Sequence, residues 1–267
     1  MTGMDYFQVV VLALIQGVTE FLPVSSSAHL ILPVYLLDWP DQGLSFDIAV
    51  HAGTLSAVLI YFRDDLKNFG EAGIELWSDR RVNEHASLLG KVILATTPIV
   101  IAGYFLTPII KHELRSLTVI AMATIGFGLL LGIADRRPQP RTQLTSISYV
   151  EALFIGAMQV LALIPGTSRS GITITAALLV GLNRTHAARF SFLLSIPAIG
   201  GASILAIQEA SVTDLNTNWP SFVLGMGISG ITAYLCINIF LRLINRIRLM
   251  PFVIYRVLLG SFLLTLL

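Results

Sequence analysis

Charge is what this chain has least of. Asp, Glu, Lys and Arg make up 12% of its 267 residues, against about 25% in soluble domains. The few charges nearly cancel, at +1 net, so no basic face points to nucleic acid and there is no acidic tail. Cysteine is scarcer still. The single Cys236 allows neither an internal disulfide nor a cysteine metal cluster, and it reads as a small residue facing lipid or another helix. Apolar residues supply 55% of the sequence, so the chain is read as an all-α integral membrane protein.

Six apolar runs approach the roughly 20 residues that a spanning helix needs. They are Phe46–Phe62, Leu88–Phe105, Leu117–Ala134, Ala187–Ile207, Phe222–Leu241 and Phe252–Leu267. An earlier stretch, Tyr6–Leu22, has no Lys or Arg before it and no small-residue cleavage pattern after it, so it is expected to stay in the protein. Trp39, Trp77 and Trp219 lie near span ends, where interfacial anchors sit.

Two further regions are apolar but interrupted, at LPVSSSAHL (Leu22–Leu30) and IPGTSRSG (Ile164–Gly171). Proline disfavours helical geometry in the residue before it, so Pro23 and Pro165 each end a helix, and the hydroxyl residues that follow can cap a new one. The second arm of each is too short for a bilayer core of roughly 30 Å, which predicts two re-entrant hairpins. Broken backbone at that depth is tolerated only where it is buried in protein or lines a wet cavity.

A shift of 142 positions puts Pro23 on Pro165, Ser25 on Thr167 and Ser26 on Ser168. Each half then reads as one broken hairpin followed by three spans. The expected organisation is a first repeat over 1–134, a polar linker over 135–148 and a second repeat over 149–267, forming one membrane domain. Lys and Arg crowd the Arg63–Lys91 segment and the linker, whereas Gln208–Pro220 has none, so the first two are expected to be cytoplasmic and the third external. Three spans per half invert the repeat, the hairpins enter from opposite faces, and both chain ends fall outside. Lys111 and Arg115, also placed outside, disagree mildly.

Inverted repeats with broken helices put their site near the midplane, where half-helix N-termini converge. Helices beginning near Ala28 and Gly171 would aim free N–H groups and the positive dipole end at the turns. Arg169 adds a planar donor fork suited to phosphate or carboxylate oxygens, and an arginine at membrane depth reads as functional. Gly166 and Gly171 let backbone approach closely. Gln16 and Glu20, four apart, share one helix face just before the serines. A buried Glu20 needs Arg169, a cation or a proton, and Mg²⁺ suits a sparse carboxylate set completed by substrate phosphate. His29 could serve as acid, base or nucleophile. Asp47 and His51 form another i, i+4 pair, and Asp47 is expected to pair with Arg189 across the halves. Asp64, Asp65 and Glu71 read as a solvated face.

QGVTEFLPVSSSAH (Gln16–His29) and PGTSRSGIT (Pro165–Thr173) resemble the two signature motifs of bacterial undecaprenyl-diphosphate phosphatases of the bacitracin-resistance type. The similarity runs over essentially the whole chain. It implies hydrolysis of undecaprenyl diphosphate to undecaprenyl phosphate and phosphate, recycling the lipid carrier of cell-wall synthesis. It also implies a divalent cation, Mg²⁺ with Ca²⁺ as the alternative, and a place in the bacterial plasma membrane with the site open to the outer face. Position by position, Glu20, His29 and Arg169 match residues regarded as essential and Ser26 matches a proposed nucleophile. Gln16 is the amide variant of a Glu/Gln position and would join Glu20 as a metal ligand.

The working mechanism has Arg169, the turn amides and the cation holding the diphosphate. Ser26 attacks, and His29 or Glu20 takes its proton; attack by His29 or water stays open. Ser25, Ser27, Gly166, Thr167, Ser168, Ser170 and Thr173 are the candidate substrate-binding residues. The expected partners are the polyprenyl diphosphate and membrane lipids, with homodimerisation left open. A transporter or flippase of an anionic lipid or solute is the alternative on the same architecture. A lipid phosphatase of the vanadium-haloperoxidase-like type is set aside, because no His follows Arg169 at the expected spacing and no Pro-Ser-Gly-His run exists.

Overall fold

The computed structural model describes residues 5–41, 43–79, 82–114, 116–209 and 219–267. Arg80, Arg81, Arg115 and most of the Gln208–Pro220 loop, used above for orientation, lie outside them. Among the described residues the chain is helical, with no strand beyond one isolated bridge between Arg141 and Leu182. The helices are α1 Tyr6–Thr19, α2 Ser26–Leu30, α3 Leu32–Leu37, α4 Gly43–Tyr61, α5 Arg63–Asp79, α6 Glu84–Glu113, α7 Leu117–Asp135, α8 Tyr149–Gln159, α9 Arg169–Leu179, α10 Arg184–Glu209, α11 Trp219–Ile247 and α12 Met250–Leu264.

Five of these, α4, α6, α7, α10 and α11, are long and apolar enough to cross a bilayer, which makes this a multi-pass membrane protein. The sixth expected span falls short. α12 has 15 residues, about 22 Å at 1.5 Å per residue: it begins at Met250, two residues before the expected run, but ends at Leu264 with Thr265 as its cap. α5, whose charges read as a solvated face, is a 17-residue helix with Asp64 and Asp65 in its first turn.

Small residues set how closely the helices approach, as they do where lipid supplies no hydrophobic drive. A Cβ on Gly53 of α4 would stand 2.2 Å from the Met226 carbonyl oxygen of α11, and one on Gly156 of α8 would stand 2.2 Å from that of Ala95 in α6. α1 packs on α11 and α8 packs on α6, while α7 lies along α12 and α4 against α10. The largest core cluster gathers Phe21, Phe62, Phe190, Phe192 and Phe240 beneath the site, with Phe21 edge-on to Phe192. Cys236 is half-buried where α11 meets α1, its thiol 3.3 Å from the Val18 carbonyl oxygen.

Polar ties join the other ends of these helices. Asp135 accepts from Arg184 and from the Leu249 amide, fastening α7, α10 and the start of α12. Arg189 pairs with Asp65 at 3.0 Å and lies over the Phe62 ring. The partner of Arg189 is therefore on α5 rather than Asp47, because the amphipathic helix turns its acidic first turn toward α10. Lys91 donates to the Thr145 carbonyl and Arg141 pairs with Glu151, binding the 136–148 segment to α6 and α8.

Candidate active site

Both proline breaks are present and share one construction. α1 ends at Thr19 with Glu20 as its cap, Pro23 follows, and Ser25 takes φ 74° and ψ 97° before α2 begins. α8 ends at Gln159, a 3-10 turn spans Val160–Leu163, and Ser168 takes φ 69° and ψ 112° before α9 begins. The helices start at Ser26 and Arg169, two residues ahead of the expected Ala28 and Gly171. Ser26, Ser27 and Ser170 consequently lie in first helical turns, and only Ser25 and Ser168 are caps.

The same geometry corrects the register between the halves. One residue separates Pro23 from Ser25 but two separate Pro165 from Ser168, so a shift of 142 at the prolines becomes 143 at the caps. Gly166 absorbs the extra residue. Its φ is +94°, and a Cβ there would lie 2.3 Å from the Ile120 carbonyl oxygen, so no other residue fits without movement. Ser26 thus occupies the place that Arg169 occupies in the second break.

Those two residues meet on Glu20. Arg169 Nη2 donates to Oε1 at 2.9 Å, while Ser26 Oγ and Gln16 Nε2 donate to Oε2 at 3.2 and 3.0 Å. His51 Nε2 stands 3.9 Å from the same oxygen, with its Nδ1 donating to the Asp47 backbone carbonyl. The Glu20 and Arg169 side chains are only 8% and 12% exposed. Of the partners open to Glu20, the folded chain supplies Arg169, and breaking such a buried pair from one side costs about 3–5 kcal/mol. Arg169 is held further by the Ser191 carbonyl and by the Phe21 ring beneath it.

Each break braces the other. Ser27 Oγ accepts from the Gly166 amide at 3.1 Å, and Ser170 Oγ donates to the Leu22 carbonyl at 2.9 Å. Between them sits Arg256, fully buried, donating to the Gly166, Thr167 and Thr124 carbonyls at 2.9, 2.9 and 3.0 Å and reaching that of Pro23 at 3.5 Å. A Cβ on Gly171 would meet its Nη1 at 2.7 Å. The sequence alone singled out neither Arg256 nor Tyr255, the latter bonded to His29, and it placed His51 only beside Asp47 rather than at Glu20. The signal for Arg256 was available: it is a lone arginine inside an apolar run, the same criterion that singled out Arg169.

Glu20, Ser25, Ser26, Ser27, His51, Ser168 and Arg169 line one cavity of about 310 Å³, walled on the apolar side by Ile99 of α6 and by Ala198, Ile199 and Ala202 of α10. A second cavity of about 490 Å³ shares Ser26, Ser27, His51 and Pro165 and runs on to Tyr35, Asp41 and Asp47. Thr167, Ser170 and Thr173 are fully buried and border neither, and Thr173 Oγ1 bonds Ser191 behind Arg169. His29 borders neither as well. Among the described residues no group of three or more His, Cys, Asp or Glu could hold a metal ion. Beside the single carboxylate, Gln16 Oε1 is buried without a partner there.

Five long apolar helices, two broken helices joined through a buried Arg–Glu pair, and hydroxyls turned to a cavity make this a multi-pass helical membrane protein with a polar site inside it. The chain belongs to the bacitracin resistance protein BacA family, whose pattern matches residues 9–262. It is 52% identical over 261 residues to the undecaprenyl-diphosphatase of Teredinibacter turnerae, covering 96% of this chain and 97% of that one. It is 52% identical over 258 residues to the undecaprenyl-diphosphatase of Alcanivorax borkumensis, covering 96% and 97%. With undecaprenyl-diphosphatase 2 of Stutzerimonas stutzeri it shares 51% identity over 267 residues, covering 98% of each.

Proposed function

We propose that this chain is an undecaprenyl-diphosphatase, releasing phosphate from undecaprenyl diphosphate in the bacterial plasma membrane. The observation that carries the proposal is the convergence of Ser26 Oγ and Arg169 on Glu20 at the mouth of a cavity with one polar and one apolar wall. The guanidinium of Arg169 and the first-turn amides of α9 bind the diphosphate, and the wall of α6 and α10 takes the start of the prenyl chain. Ser26 Oγ attacks the terminal phosphorus and passes its proton to Glu20 Oε2. The P–O bond to the bridging oxygen breaks, undecaprenyl phosphate leaves, and water then cleaves the phosphoserine. Ser26 is already hydrogen-bonded to Glu20, so the proton has a carboxylate to go to.

A divalent cation fits this site only in company. Glu20 and the unpartnered Gln16 Oε1 would hold it, with substrate phosphate oxygens completing the set, the usual arrangement for Mg²⁺. Bound there, it would neutralise charge developing on the phosphate.

The finer architecture belongs to the same proposal: two inverted repeats, 1–134 and 149–267, each with a re-entrant hairpin, and a cavity open to the outer face. The matched φ angles of Ser25 and Ser168 support it. So does the exchange of partners, α1 on α11 and α8 on α6, because a two-fold relation sends each pair onto the other. A homodimer, if formed, is read from the mass of the solubilised particle.

Purified protein in detergent should release phosphate from undecaprenyl diphosphate and lose that activity to a chelator. Tight binding without release would move the chain to the transporter class.

A further inference from the structure

His29 spends both ring nitrogens on bonds that lead away from the reacting groups. Nδ1 lies 2.7 Å from the Ser25 carbonyl oxygen and Nε2 lies 2.6 Å from Tyr255 Oη. The two rings stack, 5.5 Å between centroids and 11° from parallel. A carbonyl oxygen only accepts, so Nδ1 carries a proton. Burial first, and then the charge of Arg256, the residue after Tyr255 in α12, disfavour a positive charge on the ring. The ring is then neutral, Nε2 holds a lone pair, and the Tyr255 hydroxyl donates to it. Neither nitrogen bonds Glu20 or Ser26.

What His29 does reach is the carbonyl of the one residue in this break with a positive φ. Ser25, at φ 74°, is a non-glycine residue in a sparsely populated conformation that persists only where its surroundings hold it. Ser26 follows it directly, and the orientation of the Ser25 peptide decides whether Ser26 Oγ faces Glu20. We propose that His29 is a positioning residue: its Nδ1–H pins the Ser25 carbonyl so that Ser26 meets Glu20, and Tyr255 holds the plane of its ring. This assigns His29 no proton transfer and no attack on phosphorus. It rests on the phosphatase reading of the site, which phosphate release by the unaltered protein checks separately.

Two isosteres separate the roles. Asparagine places its amide nitrogen about where Nδ1 lies, whereas glutamine reaches the place of Nε2. His29→Asn should keep kcat within about tenfold of wild type, and His29→Gln should lose about a hundredfold, with KM alike in both. Equal loss of about a thousandfold in both, in variants that melt like wild type, would overturn the proposal. A second measurement needs no variant to fold. Nitrogen-15 spectra of labelled histidine in the wild-type protein should show His29 as the neutral Nδ1–H form throughout the active pH range. The Nε2–H form or an imidazolium in that range would sink it. Tyr255→Phe should then leave the Nδ1–H form in place, loosen the plane of the ring and lower kcat by about two- to tenfold without moving KM.

Discussion

The first and second breaks share a backbone and differ in what that backbone presents. At matched positions after a strained serine, one offers the hydroxyl of Ser26 and the other the guanidinium of Arg169, and both bond Glu20. A duplicated turn has been divided between a group that can react and a group that can grip. The division explains why the carboxylate lies in only one half. A single Glu20 between the two breaks balances Arg169 and accepts from Ser26 at once, where a second buried carboxylate would need another partner.

The largest test of that division removes its two charges. Glu20→Ala and Arg169→Ala should each cut phosphate release by about a thousandfold, and the double variant should be little worse, since the residues act as a unit. Stability should behave in the opposite way. Each single variant leaves a buried charge unpaired and should lose about 3–5 kcal/mol, and the double variant should recover part of the melting temperature. A double variant less stable than both singles would show that the pair is not the local balance described here.

Next in size is the extra residue of the second break. Gly166→Ala forces a Cβ against the Ile120 carbonyl at an unfavourable φ and should cost about 2 kcal/mol or more, read as a fall in thermal midpoint. The first break, one residue shorter, has no position with this demand.

The cross-braces give a smaller effect. Ser170→Ala strands the Leu22 carbonyl beside a fully buried site and should cost about 1–2 kcal/mol. Ser27→Ala, at a residue open to the cavity, should cost about 0.5–1 kcal/mol, because water can reach the Gly166 amide instead. Equal losses in the two variants would remove this asymmetry.

The smallest effect lies in the helices that lead into the breaks. α1 is capped by Asp5 with Gln8, α8 by Ser148 with Glu151. The hydrogen bond from Arg141, with those from Ser148, holds the Glu151 carboxyl below its ordinary value of 4.5 against the opposing effect of burial. A depressed folded value means that this stabilisation is complete above about pH 5 and is lost as pH falls through the acid range below 4.5. Melting followed from pH 6 to 3 should show a loss of a few tenths of a kcal/mol that Glu151→Gln abolishes. The neutral Gln8 should contribute no such slope.

Much of this was legible along the chain. Proline followed by hydroxyl residues placed both breaks, and an arginine in an apolar setting singled out Arg169, since each is a local penalty that the neighbouring sequence reveals. Arg256 obeyed the same rule and was hidden by its place in a run long enough to pass for a span. His51 was read as a neighbour of Asp47, because spacing along one helix says nothing of a residue on another. The expected Asp47–Arg189 tie failed for a related reason, since the solvated-looking Asp65 lies on a helix that folds back toward α10.

The line of residues was enough to make this an apolar helical chain with two interruptions, because hydropathy and proline act over a few neighbours. It could not say that the extra residue at Gly166 shifts the register by one, that Arg256 joins both turns, or that His29 turns from Ser26 toward Tyr255. Those depend on contacts between residues 90 to 233 positions apart, and only packing brings them within hydrogen-bond reach.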